Sequence, residues 1–337
     1  MRTAIRMASK LSLVLFFWTV GSALGAEKLN FTLDWIVQPP HAYFIAAKHL
    51  GLYRKAGLDV TINRGYGSSD TIKKVAAKSA DYGFADAGSL VVARAQGMRA
   101  REIGMVYSKA MYELHCLKKW GIVQPKDLEG KTMGTNQATS VYTLFPAFAS
   151  AAGVDLSKVK WSFMAPPAIP PSIVAGKVHC GFNYATVLPI VRQSARKNGE
   201  EVTVISYAEH GVDIYSNGLI TQDDRITRNP SQVRAFADAT MRGVAWVAEK
   251  PKEGMKVLMQ YEPALDPQVV KEGLEIGLNH LFTPEVAKHG LGYMTEEKMQ
   301  RTRDIVSKYM KLEVQVPVRD LYTNEFLPKL FPKRGQL

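Results

Sequence analysis

Apolar and polar positions change period many times along this chain, and the changes divide it into elements. Phe31, Leu33 and Trp35 alternate with polar neighbours, which predicts a short strand. Pro39 and Pro40 interrupt it with a loop. Over 42–53 the apolar positions Phe44, Ala47 and Leu50 fall at helical spacing, and Gly51 and Gly57 punctuate the end. A second strand is predicted at 58–62 and a tight turn at 65–69. A helix then opens with Ser68 or Ser69 as its cap and Asp70 in its first turn. A third strand covers 82–85, and Gly88 and Ser89 open another helix. Further strands are predicted at 102–107, 112–118, 131–134, 159–164, 178–182, 201–207 and 214–221, with a helix at 141–152. The segment 165–171, with four prolines, is a stiff connector whose Pro171 suits the first turn of a short helix. After Asn229-Pro230 the chain reads as helical at 231–249, 253–261, 267–278 and 295–309. Ser231 and Thr295 are the expected caps, and the apolar faces are expected to pack on the first lobe.

Strands alternating with helices at this spacing predict an α/β fold with open, mostly parallel sheets. The chain is long enough for two lobes. It is expected to leave the first lobe near 107–110 and return near 211–215. That makes a two-strand hinge, with residues 27–108 and 214–337 in lobe I and 109–213 in lobe II. Such a hinge lets two lobes close around a ligand.

Composition narrows the function. The 337 residues carry a formal net charge of +12, but the basic residues are scattered, and no Lys/Arg run interleaves with aromatics. A basic secreted protein is therefore expected rather than a nucleic-acid binder. Arg2, Arg6 and Lys10 precede an apolar run at 11–20, and Ala23 and Gly25 are small residues at cleavage-determining positions. Residues 1–26 thus read as a cleavable export signal, cut after Gly25 or Ala26. The run is too short for a comfortable membrane span. The two cysteines, Cys116 and Cys180, are either a disulfide in an oxidising compartment or two buried thiols. His115 and His179 each precede one of them, but this is not a zinc-binding spacing. The chain contains no G-x-S-x-G elbow, H-E-x-x-H pair or Walker A loop.

In open α/β sheets ligands bind beyond the carboxyl ends of the strands. That edge is expected to gather Trp35, His41, Tyr43, Tyr66, Ser68, Ser69, Asp86, Gly88 and Ser89 from the first lobe. A second ligand surface is expected at Thr139 and Ser140, where N-capping is the plainer role and is compatible with it. Asn183 and Tyr184 follow a predicted strand, and Asp213 and Tyr215 lie on the return crossing. Flat rings offer stacking area with little conformational loss, while Asp, Asn and Ser exchange hydrogen bonds with amino groups and ring nitrogens. The set suits a small planar heterocycle with amino substituents. Trp35 and the tyrosines have core packing as their alternative role, and Asp34 has a turn role.

Asp34-Trp35, His41, Gly51, Tyr53 and the run Gly57, Leu58, Asp59, Val60 are similar to the opening of a known family, and TNEFLP at 323–328 is similar to its ending. The chain resembles periplasmic substrate-binding proteins of the thiamine-pyrimidine-precursor family, relatives of the sulfonate, taurine and nitrate binders. The resemblance implies a type II periplasmic-binding-protein fold with two doubly wound lobes, and a monomeric receptor that needs no cofactor or metal. It also implies an ABC permease and a cytoplasmic ATPase as partners. A sulfonate, taurine or aromatic carboxylate is the alternative ligand within that class. Family members often carry Asp where His179 stands and an acidic element near 183–186, so Asn183 and Tyr184 replace an expected glutamate contact. A related branch makes the thiamine pyrimidine from pyridoxal phosphate. Its lysine and sacrificial histidine correspond to Ala85 and Ser89 here, and its cysteine-rich run to 212–216, so that chemistry is not expected.

Overall fold

The computed structural model describes residues 25–337, and the export-signal expectation falls almost wholly outside them. Among the described residues, ten strands form two five-stranded mixed sheets with helices packed around them. The first sheet contains β1 (Glu27–Thr32), β2 (Leu58–Asn63), β3 (Tyr82–Asp86), β4 (Ala100–Met105) and, from much later in the chain, β10 (Asn217–Gln222). Its order is β2-β1-β3-β10-β4. The second contains β5 (Tyr112–Leu117), β6 (Thr132–Thr135), β7 (Lys160–Phe163), β8 (Cys180–Tyr184) and β9 (Val202–Ser206), in the order β7-β6-β8-β5-β9.

The two sheets repeat one plan. β1 runs parallel to β2 and β3, as β6 does to β7 and β8. Each sheet also receives one antiparallel strand just after the chain crosses between lobes: β5 beside β8 and β9, and β10 between β3 and β4. The crossings run side by side. Val106 and Tyr107 both donate backbone N–H bonds to the Asn217 carbonyl, and Ser216 donates to that of Tyr107. This paired crossing is the two-strand hinge of a periplasmic-binding-protein fold.

Several expected elements are cut differently. β1 stops at Thr32, and Asp34 and Trp35 sit in the following bend, because a Thr71 hydroxyl and the Trp35–Gly65 backbone bond take over the pairing there. The helix expected over 42–53 breaks at Gly51, whose φ of 67° suits a residue without a Cβ. The helix expected over 141–152 splits into Ser140–Thr143 and Phe145–Ala152 ahead of Pro146. Gly67 rather than a serine takes the cap position before Ser68–Ala76, and Asn229 with Pro230 replaces Ser231 at the next long helix. Thr295 caps its helix as expected, accepting the Lys298 N–H.

The helix Glu296–Met310 departs from the expected packing on the first lobe. Its buried face, Met299, Thr302 and Val306, lies against the second lobe's helix Phe145–Ala152 and the first lobe's Ala87–Ala95. Its two methyl-bearing apolar residues join the cluster of Phe145, Phe148 and Tyr207, so it bridges the lobes. The 323–328 motif has a structural role. The Asn324 side chain exchanges both bonds with the Met294 backbone, and Thr323 donates to the Glu102 carbonyl on edge strand β4. Cys116 and Cys180 lie opposite each other on β5 and β8 and form a disulfide, which resolves the two readings of their thiols. No helix among the described residues is long and apolar enough to cross a membrane.

Candidate functional site

Both sheets aim the carboxyl ends of their parallel strands at the gap between the lobes, where this fold class binds ligands. Asp34, Trp35 and Gln38 enter it after β1, and Gly67 and Ser68 after β2. Thr139, Ser140 and Val141 enter from the loop after β6, and Phe182, Asn183, Tyr184 and Val187 from the end of β8. The wall therefore comes from four strand ends, two in each lobe.

Asp34 is held in place by two buried side chains, His41 and Asn217. The His41 ring accepts the Gln38 backbone N–H at Nδ1 (3.1 Å), so its Nε2 carries the hydrogen and donates to Asp34 Oδ1 (2.9 Å). Asn217 Nδ2 donates to the other carboxylate oxygen, also at 2.9 Å. A buried carboxylate without such donors is costly. Expected to face the ligand, His41 instead has both nitrogens committed and does not reach the cavity wall. It positions Asp34, which lines the gap. Asn217, on β10, was not singled out in the sequence. Its distance along the chain from Asp34 hides the pairing.

Across the gap, Tyr184 donates its hydroxyl to Ser140 Oγ (3.0 Å). Thr139 Oγ1 accepts the Tyr142 N–H (3.1 Å) and so caps its helix while lining the cavity, as the sequence allowed. Asn183 Nδ2 lies 3.4 Å from His115 Nδ1, which leaves the Asn183 carbonyl for other partners. Ser68 is buried at the start of the nine-residue helix Ser68–Ala76, and its Oγ has no partner. Burial holds the Tyr184 phenol well above the ordinary tyrosine range, so the ring enters the site as a neutral donor. Among these lining residues there is no lysine or arginine.

Trp35 is half-buried and packs across the gap on the apolar cluster that contains Ile173, Val187 and Val191 of the second lobe. The space between these residues is small, about 20 Å³ open to water centres, which suffices for a single water. The lobes are drawn together: Ser69 donates its N–H to the Ala138 carbonyl (3.1 Å) and shares a hydroxyl bond with Thr143 (3.2 Å).

The remaining expected residues lie elsewhere. Tyr43 is fully buried in the first core against Phe44 and Tyr107, because its helix turns that face to the sheet. Tyr66 is 44% exposed, with the Arg64 guanidinium over its ring. Ser69 belongs to the interlobe bonds just described. Asp86 caps the Ala87–Ala95 helix by accepting the Ser89 N–H, and takes a hydrogen bond from Tyr112 of the second lobe. Burial pushes its carboxyl up to about 6, with the Tyr112 and Ser89 hydrogen bonds opposing the shift. Gly88 lies under Leu144 and Ile214, and Ser89 is buried behind it. Tyr215 bonds Glu285 and the Thr295 backbone. Asp213 opens onto a separate depression beside Glu285 and Lys298. Phe182 and Val187 were missed because apolar strand-end residues carry no local signal that separates a cavity wall from a core.

Residues 38–254 match the family model described as NMT1/THI5 like. That span covers well over half of the chain. The chain belongs to the NMT1/THI5-like family. Among curated proteins it is similar to a riboflavin-binding protein RibY of Chloroflexus aurantiacus, 26% identical over 90% of this chain and 86% of that one. It is also similar to a 4-amino-5-hydroxymethyl-2-methylpyrimidine phosphate synthase of Legionella pneumophila, 23% identical over 90% and 93%. Among solved structures, the alkanesulfonate-binding protein SsuA of Xanthomonas axonopodis pv. citri superposes with a TM-score of 0.69 at 14% identity, covering 88% of this chain and 98% of that one. That likeness places this NMT1/THI5-like chain in the periplasmic-binding-protein fold. Within it, Asp34 and His41 of the family opening are the pair that fixes the loop after β1.

Proposed function

We propose that this chain is the exported receptor of an ABC-type uptake system and closes its two lobes on a small planar nitrogen heteroaromatic, such as a thiamine pyrimidine precursor. The observation that carries the reading is the wall chemistry. The Trp35 and Tyr184 rings stand beside Asp34, Ser68, Ser140 and Asn183, with no cationic side chain among them. Rings of this kind stack on a flat ligand, and the polar groups pair with amino and ring-nitrogen atoms. Both curated relatives named above handle flat nitrogen heterocycles, which supports the same class. A ligand that touches both lobes at once stabilises the closed form, and the closed form is what a membrane permease would recognise.

A second reading, a sulfonate or carboxylate ligand, draws on one feature. The Ser68–Ala76 helix turns its N-terminus and the unpartnered Ser68 hydroxyl toward the gap. A catalytic reading is weaker, since Ala85 offers no amine and Ser89 no imidazole where the synthase branch has its lysine and histidine.

Titration of 4-amino-5-hydroxymethyl-2-methylpyrimidine into the wild type and Trp35→Ala tests the proposal. Loss of the ring is expected to weaken binding by about 1 kcal/mol or more, with the unliganded thermal midpoint nearly unchanged. Collapse of the unliganded fold would assign Trp35 to the core. Tight binding of taurine or an alkanesulfonate by a wild type that ignores the pyrimidine would favour the second reading.

A further inference from the structure

An asparagine in a cavity wall can show a ligand either end of its amide, a carbonyl that accepts or an NH2 that donates. At Asn183 the choice is made behind the wall. Side chains alternate along β5, so Glu113, His115 and Leu117 share one face. The antiparallel register sets Glu113 opposite Asn183 and His115 opposite Gly181 on β8. The His115 ring therefore lies diagonal to the Asn183 amide, within reach of it. The ring is fully buried. Ile169 and Ile173 pack over Gly181 so closely that a Cβ there would collide with them. His115 Nε2 lies 2.8 Å from Glu113 Oε2, and Nδ1 lies 3.4 Å from Asn183 Nδ2. Among the described residues, the three side chains have no other hydrogen-bond partner.

A carboxylate only accepts, so the hydrogen of the neutral ring stays on Nε2 and Nδ1 is left bare. A bare ring nitrogen also only accepts, so the Asn183 amide turns its NH2 to it. The carbonyl oxygen is then the end left for a ligand. The reverse orientation would set two acceptors against each other in a dry interior, which is costly. Resting on the reading that ligands bind in the interlobe cavity, we infer that the Glu113–His115 pair fixes Asn183 as an acceptor and that the site thereby selects ligands with a donor, such as an exocyclic amino group, at the end of β8. Neither Glu113 nor His115 lines the cavity. They are positioning residues, and Asn183 determines the specificity. A ligand of the same shape whose substituent can only accept is disfavoured there, because its oxygen would meet the Asn183 oxygen.

Calorimetric titration of 4-amino-5-hydroxymethyl-2-methylpyrimidine and of its 4-methoxy analogue, which accepts at that position but cannot donate, tests this. The wild type is expected to bind the amino form about tenfold or more tightly than the methoxy form. In Glu113→Gln the side chain can donate to Nε2, which frees the ring hydrogen to move to Nδ1 and the amide to turn over. That variant is expected to narrow the preference to about threefold or less. In an Asn183→Ala background the same substitution is expected to change the ratio by less than about twofold, because its effect runs through the amide. Nitrogen NMR of the histidine-labelled wild type reads the ring directly and stands even where a variant fails to fold. His115 is expected to carry a hydrogen on Nε2 alone. A hydrogen on Nδ1, a preference that Glu113→Gln leaves intact, or an equal change in the Asn183→Ala background overturns this inference and leaves the proposed function standing. So does a wild type that binds the amino form no more tightly than the methoxy form. A wild type that binds neither form overturns the heteroaromatic reading itself, and this inference with it.

Discussion

Two buried carboxyl groups in the first lobe are treated in opposite ways. Asp34 has a donor on each oxygen, His41 on one and Asn217 on the other. His41→Ala would leave one of those oxygens buried without its donor. A loss of roughly 3 kcal/mol in urea unfolding is expected, and a loss under a few tenths would show that the pair does not hold the loop. Glu102, on β4, is fully buried, and neither of its carboxyl oxygens has a partner. Burial, with Asp86 adding to it, raises its carboxyl well above the ordinary range. Asp86 shifts in the same direction, from 3.8 to about 6. A carboxyl raised in the folded state binds more protons folded than unfolded, so stability is fullest below the unfolded value and falls as pH rises through the folded one. Unfolding free energy is therefore expected to decline between about pH 4 and 6 through Asp86. Glu102→Gln is expected to lose part of the slope that begins at the ordinary glutamate range and to be more stable than the wild type at pH 7.5. A variant less stable than the wild type at that pH would contradict this.

At the scale of elements, strand ends and helix starts decide what faces the gap. Gly67 has a φ of 133°, and a Cβ there would collide with the Ala138 carbonyl of the opposite lobe. Gly67→Ala is expected to hold the lobes apart and weaken ligand binding tenfold or more, with a larger radius of gyration in small-angle scattering. Unchanged binding would remove this contact from the closing mechanism. The disulfide joins strands 64 residues apart in sequence. In the chain-entropy account such a loop contributes up to about 4 kcal/mol, so Cys116→Ala/Cys180→Ala is expected to unfold at clearly lower denaturant. The alternation of strands and helices was legible because burial on a sheet imposes period two and on a helix period 3.6. The cap at Ser68 was misread because Gly67 can adopt a backbone that a serine cannot, so the cleft contact decided the position. The Glu296–Met310 helix shows the same limit: its apolar face is plain in the sequence, but which lobe it covers depends on the neighbour across the gap.

For the whole molecule, the two sheets, the paired crossing and the convergent strand ends make a hinged two-lobed fold. Much of that plan was visible in the repeated strand, turn and helix pattern. The site was visible only in part. Trp35, Ser68, Thr139, Ser140, Asn183 and Tyr184 were placed at the gap because each follows a strand. Tyr43, Asp213 and Tyr215 were misplaced, since a tyrosine or aspartate near a strand end looks alike whether it turns to core, hinge or cleft. Closure of this cleft on planar heteroaromatics is the proposed function. Its most direct test is a thermal-shift panel on the chain from Glu27 onward, with pyrimidines, thiamine, flavins, taurine, alkanesulfonates and aromatic carboxylates. A ligand at a hundred times its dissociation constant adds about 2.7 kcal/mol, enough to raise the midpoint visibly. A rise is expected with pyrimidines or flavins and none with taurine or alkanesulfonates; a rise confined to the sulfonates would overturn the heteroaromatic reading.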